Sequence, residues 1–184
     1  MGQHIQFDRE KFKDAIWTVA SLCPPEELGN VKLHKILYFA DMLTFLDEGR
    51  PLTGVEYLKQ KFGPTARYLT AAVAELSAEG LLSVEETDYH GFLKKTYVPH
   101  GAPRRTRLSD AEINLLREVS EYVRGKSAKE ISEISHNAAW EAAELGEVIP
   151  YTTSLKLAPV EVKDSDRQWA KETALVYANQ AWPS

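Results

Sequence analysis

Side chains able to carry catalysis or hold a metal are few and scattered in this chain. Histidines stand at positions 4, 34, 90, 100 and 136, and Cys23 is the one cysteine. No two histidines fall at the two- to five-residue spacing of common ligand pairs, so nothing suggests a structural zinc site. A lone cysteine excludes an internal disulfide. As a nucleophile Cys23 lacks an assignable base, and it reads more simply as a small apolar residue closing the buried face of a first helix. There is no glycine-rich phosphate loop, no Gly-x-Ser-x-Gly turn and no His-Glu-x-x-His helix. The adjacent carboxylates Glu85 and Glu86 read as the solvated face of a hairpin. The expectation is a protein without catalysis, cofactor or metal.

Basic residues offer a second kind of chemistry. A helix over 64–79, a Gly80 turn and a ribbon over 81–98 would form the tail of a winged helix, with the helix in the major groove. Arg67 on that helix, Lys94 and Lys95 on the ribbon, and Arg104, Arg105 and Arg107 beyond it are the candidate phosphate contacts. Against this, the helix also carries Glu75 and Glu79, and duplex binding needs several clustered cations at physiological salt. A hairpin packed on a helical core is the simpler reading, and DNA binding stays the alternative.

The elements that must position these groups follow from periodicity. Asp8 caps a helix running to Cys23, with Phe12, Ile16, Val19 and Cys23 on one face, and Pro24-Pro25 ends it. A second helix from Asn30 through Leu46 is apolar almost all round, at Leu33, Ile36, Leu37, Phe39, Ala40, Leu43 and Leu46, which predicts burial at the centre of the core. Lys32, Lys35 and Asp41 would mark its one wet edge. An extended segment over 55–62 leads to Gly63-Pro64, where Pro64 would open the third helix. Residues 81–86 and 92–98 read as a hairpin. Ser109-x-x-Glu112 and Ser127-x-x-Glu130 both fit capping boxes. They lead into Ile113, Leu116, Val119 and Val123, and into Ile131 and Ile134. A short helix over 138–145 carries Trp140, residues 146–162 read as irregular, and a final helix opens at Ser165 with Trp169. The fold class is therefore α+β and predominantly helical: a buried central helix, surrounding helices and a small hairpin. The stretch 99–107 is the one linker-like interval.

Composition agrees. The chain has 184 residues, 43% hydrophobic and 27% charged, with a net charge of −5. This is the range of one medium-sized domain able to bury its own core. Residues 1–107 balance 14 basic against 14 acidic side chains, so the net negative charge falls in the last two fifths. No apolar run reaches the ~20 residues of a membrane span, and the first residues lack a secretory pattern. These features predict a cytoplasmic, reduced protein that does not enter a membrane.

Seven short patterns, taken in order, resemble a known family. They are Lys32-Leu-His-Lys-Ile-Leu-Tyr-Phe-Ala40, Gly49-Arg-Pro-Leu52, Lys61-Phe-Gly-Pro64, Glu79-Gly-Leu-Leu82, Leu108-Ser-x-x-Glu112, Ser127-Ala-x-Glu130 and Ser135-His-x-x-x-Trp140. Together they resemble the Panacea domain over residues 10–145, leaving 146–184 as a C-terminal extension. The chain departs from the family pattern at His34, where glutamine is common, and in the absence of a proline before Trp140. The resemblance implies an antitoxin from a bacterium or prophage that neutralises a cognate toxin protein by direct binding. In one branch of the family the antitoxin would hand its toxin to a protease. Lys32, Lys35, Tyr57, Tyr68, His136 and Trp140 are the candidate partner contacts, because tyrosine and tryptophan dominate binding energy and cations on an apolar helix must reach water or an acid. Each has a plainer reading too: the lysines as a solvated edge, and His136 with Trp140 as a packed pair on one helical face. The acidic C-terminal third would suit a basic partner.

Overall fold

The apolar run from Asn30 forms the axis around which everything else is arranged. A computed structural model describes residues 5–89, 91–101 and 106–157. In it, α1 (Arg9–Leu22) precedes the axial helix α2 (Asn30–Glu48), followed by β1 (Tyr57–Gln60), β2 (Gly63–Ala66) and α3 (Leu69–Ala78). Then come β3 (Leu82–Tyr89), β4 (Phe92–Pro99), α4 (Asp110–Arg124), α5 (Ala128–Ser135), α6 (Ala138–Glu141) and a 3-10 helix over Tyr151–Leu157. The α+β, predominantly helical expectation holds. Around α2 pack α1, α4, α5, β2, β4 and the 3-10 helix.

Local signals set most element boundaries. The Asp8 carboxylate accepts from the Lys11 amide at 2.9 Å and starts α1. α2 ends at Gly49, whose φ of 71° is a left-handed conformation that a side chain resists. Both predicted capping boxes form: Ser109 with Glu112 opens α4, and Ser127 with Glu130 opens α5. The apolar faces of α1, α2, α4 and α5 meet in one continuous cluster that includes Phe12, Ile16, Leu33, Ile36, Leu37, Tyr38, Leu116, Val123 and Ile131.

The sheets are two antiparallel pairs, β1–β2 and β3–β4. β3–β4 is the expected hairpin, in register from Leu82 opposite Pro99 to Tyr89 opposite Phe92. β1–β2 replaces a predicted helix start. Pro64 does not open α3; it lies in β2 opposite Lys59, and α3 begins at Leu69. Proline needs no partner for an amide proton, so it fits an edge strand as well as a first helical turn. Residues 146–149, expected to be irregular, run along the other side of β1: the Lys59 and Ile149 amides donate to the Glu147 and Tyr57 carbonyls at 2.8 and 2.7 Å. The helix around Trp140 is shorter than expected and ends at Glu141.

The expected wet edge of α2 is not there. Lys35 is 2% exposed and Asp41 1%, whereas Leu43, expected in the core, is 45% exposed. Ile134 of α5 likewise stands partly in solvent. Asp41 is instead an internal hub. Its carboxylate accepts from the Thr53 amide at 2.6 Å, the Thr53 hydroxyl at 2.7 Å and the Tyr57 hydroxyl at 2.7 Å. Burial pushes its pKa up, and those donors oppose the rise. Tyr57 is therefore wholly buried and is not a partner contact. Arg104, Arg105 and the expected final helix with Trp169 lie outside the described residues.

The hub predicts a large energetic effect. Asp41→Ala leaves four buried donors without an acceptor, the fourth being the Gly54 amide at 3.4 Å, each costing about 1–3 kcal/mol, so urea denaturation should show a loss of at least ~3 kcal/mol. Tyr57→Phe removes one donor and should cost only about 1–2 kcal/mol. Equal small losses in the two variants would refute the hub.

Candidate interaction surface

Consecutive residues of α2 clasp β2. The Ala66 amide donates to His34 Nδ1 at 3.0 Å, which fixes that nitrogen as the unprotonated one. The Lys35 ammonium donates to the Pro64 carbonyl at 2.8 Å. Burial, helped by the adjacent Lys35, brings the His34 pKa down to about 4, and burial brings that of Lys35 down to about 7. Gly63 makes the close approach possible. At its φ of 94° a Cβ would lie 2.3 Å from Ser135 Oγ and 2.7 Å from Lys35 Nζ. Glycine is thus required there for both conformation and space.

This clasp aims the β1–β2 turn outward. Phe62 at its tip is 65% exposed. Beside it, His136 ends α5 and Asn137 caps α6 by accepting from the Ala139 and Trp140 amides. His136 and Trp140 therefore belong to the junction of two helices, not to one helical face as the sequence predicts. Their rings still stack, with centroids 4.0 Å apart and planes 19° from parallel. The Lys59 ammonium lies 4.0 Å from the indole centroid and donates to the Ala143 carbonyl at 2.8 Å. The indole N–H donates to the Gln60 carbonyl at 3.3 Å. Lysine, indole and imidazole are thus held together by β1, α6 and the end of α5.

A pocket of about 430 Å³ opens between the start of α2, the β1–β2 turn and α5, lined by Val31, Phe62, Ala128, Lys129, Ser132, Glu133 and His136. His136 Nε2 is buried with no hydrogen-bond partner. Its pKa is lowered by burial first and then by Lys35 and Lys59, with Glu133 acting the other way. The ring is neutral near pH 7. It can accept a hydrogen bond or donate one, according to its tautomer.

The remaining predicted contacts do not join this surface. Lys32 is half-buried, and its ammonium donates to the Arg124 carbonyl at the end of α4. Tyr68 is 43% exposed but stacks on Phe7, with centroids 5.3 Å apart. Nor do the DNA candidates among the described residues form a free basic face. Arg67 pairs with Glu56 at 2.6 Å, Lys95 with Glu86 at 3.4 Å, and Lys94 donates to the Glu26 carbonyl. The would-be reading helix has lost its first turn to β2, and the winged-helix alternative is not favoured. Phe62 was missed in the sequence. The available signal was an aromatic residue beside Gly-Pro at the end of a β-like run. Among the described residues there is no group of three His, Cys, Asp or Glu placed to hold a metal. No helix of the described residues is long and apolar enough to cross a membrane.

Comparison with known proteins adds one finding. The family described as antitoxin SocA-like, Panacea domain, matches residues 33–141, which is more than half of the chain and runs from α2 to the end of α6. No curated protein and no solved structure matches.

The buried lysine predicts a pH signature. Its folded-state pKa near 7 lies below the unfolded value of about 10.5, so between these the unfolded chain holds the extra proton. Stability therefore rises with pH across that window, by up to ~1.4 kcal/mol per unit from this group. Urea denaturation from about pH 6 to 9 should show Lys35→Met gaining most, relative to the unsubstituted chain, at the acid end, with the gap closing as pH rises. A difference independent of pH would show that Lys35 keeps an ordinary affinity for its proton.

Proposed function

Because the chain belongs to the antitoxin SocA-like, Panacea-domain family, we propose that it is the antitoxin of a bacterial or prophage toxin–antitoxin pair. It neutralises a cognate toxin protein in the cytoplasm by direct binding, without catalysis and without a cofactor. The family match over 33–141 is the observation that carries this reading. The surface built by β1, β2, α5 and α6 supports it. Exposed Phe62 and the supported His136–Trp140 stack are aromatic anchors on a rigid frame, and such groups contribute most of the energy at protein interfaces. Pre-organisation also reduces the entropy lost on binding. His34 and Lys35, the most chemically perturbed groups near this surface, are occupied in holding β2, which fits a binding role.

The test is growth. Cells expressing the reading frame adjacent to this chain's gene should arrest, and co-expression of this chain should restore growth. Toxin abundance should stay constant during rescue if neutralisation is stoichiometric, whereas delivery to a protease would lower it. A harmless neighbour, or toxicity that this chain does not relieve, would refute the antitoxin reading.

A further inference from the structure

The pocket between α2, the β1–β2 turn and α5 has the form of an anchor site whose charge opposes that of the chain as a whole. Its walls are apolar at Val31, Phe62 and Ala128. At about 430 Å³ it lies within the ~300–1,000 Å³ range of side-chain and small-ligand pockets. His136 also lines it, with Nε2 buried and without a hydrogen-bond partner.

The charges beside this apolar space come from three elements. From the β1–β2 side come Lys59, and Lys61 with its ammonium 5.7 Å from the Phe62 ring centroid. From α5 come Lys129 and Glu133, which lie 4.0 Å apart and largely offset one another. From α2, buried Lys35 acts on the same imidazole as Lys59 and Glu133. Lys59 and Lys61 therefore leave an excess of positive charge in a molecule whose net charge is −5. Charge complementarity then favours a partner segment of the opposite sign.

We propose that this pocket is the docking site for the toxin, and that it receives one bulky apolar side chain from an acidic segment. The apolar side chain fills the space between Phe62 and α5, and flanking carboxylates face Lys61 on the β1–β2 side. This deepens the antitoxin reading and rests on it. It also reverses the expectation, drawn from the acidic C-terminal third, that the partner surface is basic.

The test uses the full chain and the purified product of the adjacent reading frame, titrated by calorimetry at low and at physiological salt. Ala128→Trp fills the pocket from an exposed position on α5 that tolerates a large side chain. It should weaken binding by at least ~10-fold with the thermal midpoint of the free chain unchanged. Lys61→Glu with Lys129→Glu should slow association and flatten its salt dependence. Unchanged affinity in Ala128→Trp, while the unsubstituted chain still binds and rescues growth, would overturn the docking site and leave the antitoxin reading intact. Tighter binding by the double glutamate variant would overturn the acidic partner. A dimer of the free chain that Ala128→Trp dissociates would make a second copy the occupant and also overturn the proposal. An unsubstituted chain that neither binds nor rescues overturns this proposal together with the reading beneath it.

Discussion

A nineteen-residue helix enclosed on most sides must find internal partners for the charged and imidazole side chains it buries, and much of this structure is arranged to supply them. Burying a polar group without a hydrogen bond costs several kcal/mol, and burying a charge costs more. Three of the groups α2 buries are charged or imidazole side chains, His34, Lys35 and Asp41, whereas the Thr44 hydroxyl donates to the Ala40 carbonyl of its own helix. Each is met by backbone or side chain from the segment 53–66: Asp41 by Thr53 and Tyr57, Lys35 by Pro64, and His34 by Ala66. These bonds hold irregular chain and a short edge strand against the helix, where apolar packing alone leaves register loosely specified.

That arrangement explains why a two-stranded element of four residues per strand can present a rigid tip. Isolated two-stranded hairpins are marginal in water. Here β2 is tied to α2 from one side, while β1 is bonded to residues 146–149 on the other and carries the indole of Trp140 beside it. Glycine at 63 lets the strand approach Lys35 and Ser135 closely enough for the clasp to close. Phe62 projects from the end of this support, so its exposure costs solvation but little added conformational entropy when a partner covers it.

Electrostatics divides the molecule along similar lines. The −5 charge is a property of the chain, yet His136 lies in the field of Lys35 and Lys59 as well as Glu133, because α2 and β1 bring those lysines to the end of α5. The β3–β4 ribbon shows the reverse tendency: its lysines meet Glu86 or the Glu26 carbonyl instead of standing free for phosphate. Net charge tallied along a sequence thus gives little guidance to the sign of any one face.

Residue order alone determined the helices and their limits wherever the controlling interaction is local. Asp8, the two Ser-x-x-Glu boxes and Gly49 each act within one helical turn, and the β3–β4 hairpin is set by a polar turn between two β-like runs. Apolar periodicity likewise marked α2 as central, and the ordered motifs pointed to the family. What only tertiary structure decided were the outcomes that depend on long-range partners. Gly63-Pro64 is compatible with a helix start and with an edge strand, and the strand forms because His34 and Lys35, about thirty residues earlier, bond to it. Lys35 and Asp41 read as solvated because charged residues usually are, and their burial rests on acceptors and donors supplied from elsewhere in the chain. Tyr57 left the surface for the same reason. His136 and Trp140 were the legible part of the site, since they are close in sequence. Phe62, the third member of that surface, became visible only once the clasp on β2 had fixed where the turn points.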